Sequence, residues 1–423
     1  MSTIPLLTLL IIFVSYQKRN NWKFGSISYL LTLYILMGIT SLILTYTKIL
    51  PSSFKFSFEA MIYLSICFSI IFYGFFNFRE VNIHKIKITN LKLFKLLEIA
   101  LIIGGFIAIF FFLPHAIKGI SGDVAFNRKN NLEIQTVLGG YKLINTIISI
   151  FANLFIVSIT LSFINFARGS KFKLRAYLLL FSSISYVIYI LAYVGRDGSV
   201  YWGMSFMFIF LLFKDFLKIN VTKKLIKLIL FIFILLAIPF SIISIARFSN
   251  SDFGVIWELV NYMGQMIKNF NDSYLVNAPL TNGSNSFPLF YEWFYNMGLL
   301  SQNMEVKIET QQFYFLHNDV FPWVFTTFIG SFLIDFGNVG TLILLIILSG
   351  ISKNIINKIN KTNTLNFSNL IIFILLYQNV LWGIFYFRLY SLNLYILIMI
   401  FISIIFKVFI VKKNPIFILK VNC

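Results

Sequence analysis

Charged residues, cysteine and histidine are scarce in this chain. Only 12% of its 423 residues are Asp, Glu, Lys or Arg, about half the share of a typical soluble domain. This scarcity, together with 59% hydrophobic residues, excludes both an ordinary soluble enzyme and a disordered chain. Two cysteines, Cys67 within an apolar run and Cys423 as the last residue, exclude a disulfide scaffold. The sequence therefore predicts an integral membrane protein.

The familiar motifs of nucleotide and metal chemistry are missing as well. The sequence contains no GxxxxGK[ST], HExxH or GxSxG pattern. Its three histidines, His84, His115 and His317, are scattered along the chain and are too few for a closed zinc site. We therefore expect neither a metal centre nor a cofactor, and a nucleotide enzyme or metalloprotease is disfavoured.

Long apolar runs dominate what is present. A bilayer core about 30 Å thick needs about 20 helical residues, and eleven runs approach or reach that length. They cover residues 4–16, 24–46, 58–76, 96–113, 143–166, 176–194, 199–213, 228–245, 324–351, 367–387 and 389–411. The predicted fold class is thus all-α: a polytopic integral membrane protein of about 11 transmembrane helices, with residues 1–423 forming one membrane domain.

Alternate loops between these runs are strongly basic. They hold 24 of the 35 Lys and Arg residues, and the only acids among them are Glu80 and Asp215. The positive-inside rule makes these loops cytoplasmic, which puts the N-terminus in the periplasm and the C-terminus in the cytoplasm. Topology then explains the net charge of +20, so nucleic acid is not an expected partner.

The opposite face carries one large loop, residues 246–322. A loop of 77 residues usually has a function or a fold of its own, and short helices are expected in it. Residues 253–270 are apolar at roughly helical spacing, which is typical of a segment lying along the membrane surface. Residues 286–300 are densely aromatic around Glu292, and form either an interfacial belt or a wall that packs against sugar rings or a lipid.

Three arginines lie at the predicted outer ends of spans, where the topology rule disfavours cations. Arg196 lies in the turn VGRDG, Arg247 follows the eighth run in SIARF, and Arg388 lies between the last two runs. The run after Arg196 has about 15 residues, or ~22 Å, so that turn is predicted to lie below the outer surface. Each arginine is either a snorkelling anchor or part of a cation cluster that binds phosphate or pyrophosphate bidentately.

Asp335 lies inside the apolar run 324–351, beside Gly337 and Gly340. This run is too long for one straight span and too short for two, so a long tilted helix and a broken one both remain open. A carboxylate within a membrane segment is either functional or a counter-ion that fixes helix packing, here with Arg388 or Arg196 as its partner.

Together these features resemble the Wzy-type O-antigen and oligosaccharide repeat-unit polymerases of bacteria. The resemblance is carried by the plan of ten to twelve spans with one large outer loop and by three motifs. These are the arginine turn VGRDG before an apolar span, GSNSFP in the large loop, and the loop-to-helix stretch that ends in DFGNVG. By plan it covers most of the chain, and by motif it covers about fifty residues.

The resemblance implies an enzyme of the bacterial inner membrane that joins undecaprenyl-pyrophosphate-linked repeat units on the periplasmic face. The growing glycan would move from its lipid carrier to a sugar hydroxyl of the incoming unit, with no nucleotide. Arg196, Arg247 and Arg388 would stabilise the leaving pyrophosphate. The candidates for the base that acts on the acceptor hydroxyl are Asp335, His317, Asp319 and Glu292.

Outer-loop residues are the candidates for contacts with the substrate. They are Asp319, Glu292, Trp293, Tyr291, Lys268 and Arg128. The expected partners are the lipid-linked oligosaccharide and membrane lipid, and the resemblance leaves room for a chain-length-regulating co-polymerase.

Three rival functions remain open. A lipid-linked-glycan ligase would have an outer-loop histidine near acidic residues, which His317 and Asp319 match only faintly. A flippase or transporter would have short outer loops and polar residues along several spans, whereas here the polar residues gather on one face. The third rival is a non-enzymatic assembly scaffold.

Overall fold

A computed structural model of the chain describes residues 1–47, 55–121, 124–129, 142–248, 254–276, 278–320, 325–409 and 416–418. Most of them are helical, because apolar segments must satisfy their backbone polar groups internally. This confirms the all-α fold class. The α-helices are α1 Thr3–Arg19, α2 Ser26–Tyr46, α3 Phe58–Phe75, α4 Leu91–Ile120, α5 Val124–Lys129, α6 Lys142–Asn153, α7 Phe155–Arg168, α8 Lys173–Ser182, α9 Ser185–Ala192, α10 Asp197–Phe213, α11 Ile219–Phe248, α12 Gly254–Val276, α13 Pro288–Asn296, α14 Met304–His317, α15 Thr327–Thr362, α16 Phe367–Trp382 and α17 Asn393–Val408.

Eight helical segments among the described residues are long and apolar enough to cross a membrane. They are Ser26–Tyr46, Phe58–Asn82, Leu91–Ile120, Ser170–Ala192, Asp197–Phe216, Ile219–Ala246, Thr327–Thr362 and Arg388–Val408. Helices α6 and α7 form a ninth span if the 44° bend between them lies within one crossing. The chain is therefore a multi-pass membrane protein, while the count of eleven spans and the orientation stay predictions.

Two of the predicted spans are short helices. The first run is α1, of 17 residues, and the tenth is α16, of 16 residues, so each spans less than a typical crossing helix. Within the predicted large loop lie α12, of 23 residues, and the shorter α13 and α14; the loop's place on the outer face stays a prediction.

The contacts within the chain group it into two compact units. Unit 1 consists of Met1–Arg79, Ile256–Thr362 and Ile372–Met399. Its core includes the contact of α3 with α15 and the buried Tyr34, whose hydroxyl donates to the carbonyl of Val380 at 2.7 Å. Segments far apart in sequence thus form one body.

Unit 2 consists of Glu80–Val255, Asn363–Ile371 and Ile400–Cys423. Helix α4 packs against α8 and α9, and α7 packs against α8. The unit also contains a three-stranded sheet in the order β2-β1-β3, in which β1 is Lys85–Ile88, β2 is Thr364–Asn366 and β3 is Ile416–Ile418. Strand β1 pairs with β2 in parallel and with β3 antiparallel.

Helix α15 is broken at Gly337, where φ is 68° and ψ is −174°. This conformation lies in a region that is sparsely available to other residues, and glycine adopts it readily. After the break, α15 continues for about 25 residues, or ~37 Å, which exceeds the ~30 Å hydrocarbon thickness. The short arm before the break, Thr327 onward, is therefore not needed for crossing. The question that the sequence left open is answered in favour of a broken helix.

Candidate functional site

Asp335 lies fully buried in the short arm of α15, two residues before the break. Its carboxylate accepts hydrogen bonds from Thr281 Oγ1, from the backbone N of Asn285 at 3.2 Å and from that of Ser286 at 2.7 Å. Within the described ranges Asp335 takes part in no ion pair. Its carboxyl group is held by neutral donors, whereas a structural counter-ion would face an arginine.

The break in α15 also frees backbone carbonyls, and the surrounding chain satisfies them. The Ile334 carbonyl accepts from Gln311 Nε2 at 2.9 Å, and the Asp335 carbonyl accepts from the Asn282 backbone N at 2.9 Å. Just after the break, the hydroxyl of Tyr63 on α3 also donates to the Asn338 carbonyl at 2.6 Å, which joins α3 to this part of α15. Non-helical backbone is tolerated within a membrane protein where protein groups provide such partners.

These contacts join the two sequence motifs GSNSFP, residues 283–288, and DFGNVG, residues 335–340. Gly283 has a φ of 93°, and a Cβ there would lie 3.1 Å from the ring of Phe336. A larger residue at 283 would therefore be both strained and crowded. Sequence reasoning singled out the two motifs separately, and the structure shows that the loop segment docks on the break in the helix.

Arg388 begins the short 3-10 helix Arg388–Leu392 between α16 and α17, and it is half-buried. Its Nη1 donates to the hydroxyl of Tyr386 at 2.8 Å. The same segment contacts the docked loop, because Asn393 Nδ2 donates to the Ser286 carbonyl at 3.2 Å. The rings of Phe387 and Phe287 also meet at 5.2 Å between centroids. Arg388 and Asp335 thus belong to one group of connected segments in unit 1.

Arg196 lies in unit 2, immediately before α10, with only 7% of its surface exposed. Its Nη1 donates to Ser244 Oγ at 2.7 Å, and its guanidinium lies 4.7 Å from the ring centroid of Phe248. It is therefore buried within its unit rather than extended to the surface as a snorkelling anchor. Arg247 lies in α11, but its side chain is outside the described residues. The convergence of the three arginines stays a prediction.

The residues expected to contact substrate have different environments. Tyr291 on α13 is buried and donates to the Gln302 carbonyl at 3.0 Å, and burial raises the pKa of its phenol. Glu292 and Trp293 are exposed on the same helix. Lys268 on α12 forms an ion pair of 2.7 Å with Asp272. Arg128 lies in α5, and its side chain is outside the described residues.

His317 and Asp319 lie at the end of α14, and both are exposed. The imidazole of His317 stacks on the ring of Phe313, with 6.4 Å between centroids. Neither residue is among the hydrogen-bond partners of Asp335. Of the candidate bases named from the sequence, Asp335 is therefore buried and holds the loop. Glu292, His317 and Asp319 are exposed on the large loop.

Sequence reasoning missed Glu98, which is fully buried on α4. Its carboxylate pairs with Arg175 at 2.9 Å and with Arg168 at 3.9 Å, and it accepts a hydrogen bond from Asn165. A single acid in an otherwise apolar helix was the signal that could have revealed it. Gln311, which bridges the Pro279 and Ile334 carbonyls, carried no comparable signal.

Comparison with protein-family models, with curated proteins and with solved structures finds no match to this chain. The residues that the structure describes hold no group of three or more His, Cys, Asp or Glu side chains placed to bind a metal ion. What the geometry defines is a multi-pass membrane protein in which a polar loop docks on a broken membrane helix next to an arginine-bearing turn.

Proposed function

We propose that this chain is a membrane glycosyltransferase that joins undecaprenyl-pyrophosphate-linked oligosaccharide units into O-antigen or a related surface polysaccharide. One observation carries the proposal: the loop motif GSNSFP and the helix motif DFGNVG, both part of the resemblance to Wzy-type polymerases, form a single hydrogen-bonded junction. The turn that bears Arg388 contacts the same junction through Asn393. Motifs separated by about fifty residues thus act as one structural element.

In the proposed reaction, a hydroxyl oxygen of the acceptor unit attacks the anomeric carbon of the donor glycan. The bond between that carbon and the pyrophosphate oxygen breaks, and undecaprenyl pyrophosphate leaves with the bonding electrons. Negative charge develops on the leaving group, so fixed guanidinium groups lower the barrier. Arg388, in the turn that contacts the junction, is our candidate, because Arg binds phosphate oxygens through a planar fork. Arg196, in unit 2, is a separate candidate named from the sequence.

We assign Asp335 a positioning role instead of the role of base. Its oxygens already accept hydrogen bonds from Thr281, Asn285 and Ser286, so the carboxylate is engaged in holding the loop. The proton of the acceptor hydroxyl would then pass to Glu292, His317 or Asp319, which are exposed on the large loop.

The same proposal gives a location and partners. The protein would lie in the bacterial inner membrane with its large loop in the periplasm, its N-terminus periplasmic and its C-terminus cytoplasmic. Its substrates would be two lipid-linked oligosaccharides, and a chain-length-regulating co-polymerase would be a natural partner.

The test is the lipopolysaccharide ladder of a strain that lacks the gene, with and without the wild-type chain supplied on a plasmid. Loss of a polymerase leaves caps of a single repeat unit, and complementation restores the ladder. A broken membrane helix is also typical of secondary transporters, which makes a flippase the second candidate. Bare core in the deletion strain would contradict the polymerase and indicate a flippase or a ligase, and an unchanged ladder would remove all three.

A further inference from the structure

The α13–α14 hairpin, residues 288–317, carries an exposed aromatic surface. Trp293 is 47% exposed and Phe313 is 74% exposed, and Phe294, Tyr295 and Tyr314 are exposed on the same two helices. The hairpin is fixed to the rest of unit 1 at two points. The backbone N of Leu289 donates to Asn393 Oδ1 at 3.1 Å, and Gln311 Nε2 donates to the carbonyls of Pro279 and Ile334. Exposed aromatic groups on a fixed support are typical of a binding surface.

The charge on this surface is opposite to that of the whole chain. The hairpin together with the two residues that follow it, 288–319 in all, contains four carboxylates and one lysine, a net charge of −3, whereas the full chain carries +20. The four acids are all exposed: Glu292, Glu305, Glu309 and Asp319. Anionic membrane surfaces attract basic segments and repel acidic ones. The charge therefore disfavours a lipid headgroup layer as the occupant.

Two carboxylates and two rings share one face of α14. Glu305, Glu309, Phe313 and His317 follow one another at intervals of four residues, which places them on one face of the helix. All four are exposed. Ionised carboxylates only accept hydrogen bonds, and hydroxyl groups supply the matching donors. The negative face of an aromatic ring attracts the C–H groups on the flat side of a pyranose.

We propose that this surface binds an uncharged, hydroxyl-rich glycan and discriminates against acidic or phosphorylated sugars. Sugar rings stack on Trp293 and Phe313, and their hydroxyls donate to Glu309 and Glu292. The inference deepens the proposed function, since a glycan is what such a polymerase extends, and the surface would hold that chain beside the junction at Asp335. Binding itself requires no glycosyl transfer, so it can be measured separately.

The experiment uses the full chain in nanodiscs of zwitterionic lipid. The probes are uncharged tetra- to octasaccharides of glucose, galactose and N-acetylglucosamine, with uronic-acid oligosaccharides of the same length as the acidic comparison. Saturation-transfer difference NMR reports binding. We expect the uncharged probes to bind, and Trp293→Ala and Phe313→Ala each to weaken binding about three- to tenfold. Glu309→Gln should weaken discrimination against the acidic probes.

Leu299→Ser is the matched control, because Leu299 is as exposed as the rings but offers no flat aromatic face. It should bind as the wild type does. Three results would overturn the inference. No uncharged probe binds, the ring variants bind as tightly as the wild type, or the protein prefers the acidic probes. Strong quenching of Trp293 fluorescence by brominated lipid would also overturn it, because it would mean that the hairpin docks on the bilayer.

The outcomes separate this inference from the proposed function. If the uncharged glycans bind but the deletion strain has a normal ladder, the glycan-binding surface is supported and the polymerase function is wrong. If the ladder of the deletion strain collapses to single repeats but no uncharged probe binds, the polymerase function is supported and the glycan-binding surface is wrong.

Discussion

The backbone N–H of Ser286 donates a 2.7 Å hydrogen bond to the carboxylate of Asp335, which joins the large loop to the break in α15. The two residues are 49 positions apart in sequence. Loss of this bond would leave a buried backbone donor without a partner, which is costly. The bond therefore contributes both to stability and to the placement of α13, which begins two residues after Ser286.

Asp335→Asn should destabilise the protein. The amide would turn an N–H₂ group towards backbone donors and leave at least one buried group unsatisfied, at a cost of about 1–3 kcal/mol. We expect a lower unfolding temperature in detergent and less folded protein in the membrane. Asp319→Asn, at an exposed position, is the control and should be neutral. Recovery on additional replacement of Arg388 would contradict our assignment, because it would reveal an ion pair.

Gly337→Ala should also be destabilising. The φ of 68° costs a residue with a side chain about 1 kcal/mol or more, and the added Cβ would lie 3.3 Å from Leu280. Gly350→Ala is the matched control on the same helix, because nothing lies within 4 Å of its added Cβ. Alanine there should be neutral or stabilising by up to about 1 kcal/mol. Thermal unfolding measures both, and equal effects would show that the break does not require glycine.

Arg388→Lys and Arg196→Lys should impair chain extension while leaving the amount of folded protein near normal. Lysine keeps the charge but loses the planar fork, so we expect a fall of about tenfold to a hundredfold in polymer formation. Arg79→Lys, in a predicted cytoplasmic loop, is the control. The ladder is read against the abundance of each variant in the membrane. Full-length ladders in both variants would rule out a role for these residues at the pyrophosphate.

The orientation can be tested with a pair of matched thiols. Ser301 on the large loop and Ser170 in a predicted cytoplasmic loop are both exposed. In a background with Cys67 and Cys423 replaced by Ser, Ser301→Cys should react with an impermeant maleimide in intact cells. Ser170→Cys should react only after the membrane is opened. The reverse pattern would invert the topology and with it the argument for chemistry on the periplasmic side.

The helices could be predicted because an apolar segment in a bilayer has no water to bond with. It must form its backbone hydrogen bonds internally, which a helix does. The break at Gly337 could not, since hydropathy is the same for a straight and a broken helix. The partners of Asp335 were also beyond the sequence. Thr281 and Asn285 are ordinary loop residues, and only tertiary docking brings them to the carboxylate.

Arginine is a second example of this limit. A guanidinium at a span end is compatible with snorkelling, with an ion pair or with burial against rings. For Arg196 the outcome depends on Ser244 and Phe248, which come from another helix about fifty residues away. Glu98 is the reverse case: sequence reasoning missed it, although a single acid in an apolar helix is a readable sign of buried partners.

The sheet of unit 2 has a consequence for how the protein is made. Strand β1 pairs with β3, which follows it by about 330 residues, so the third strand can join only after residue 418 has left the ribosome. Unit 1 is delayed in a similar way, since its first segment ends at Arg79 and its next begins at Ile256. Early helices must therefore persist in the membrane without their final neighbours during most of translation. We therefore expect the yield of this protein to depend on how much chaperone or insertion machinery is present to protect such intermediates. The stability of the finished fold should matter less.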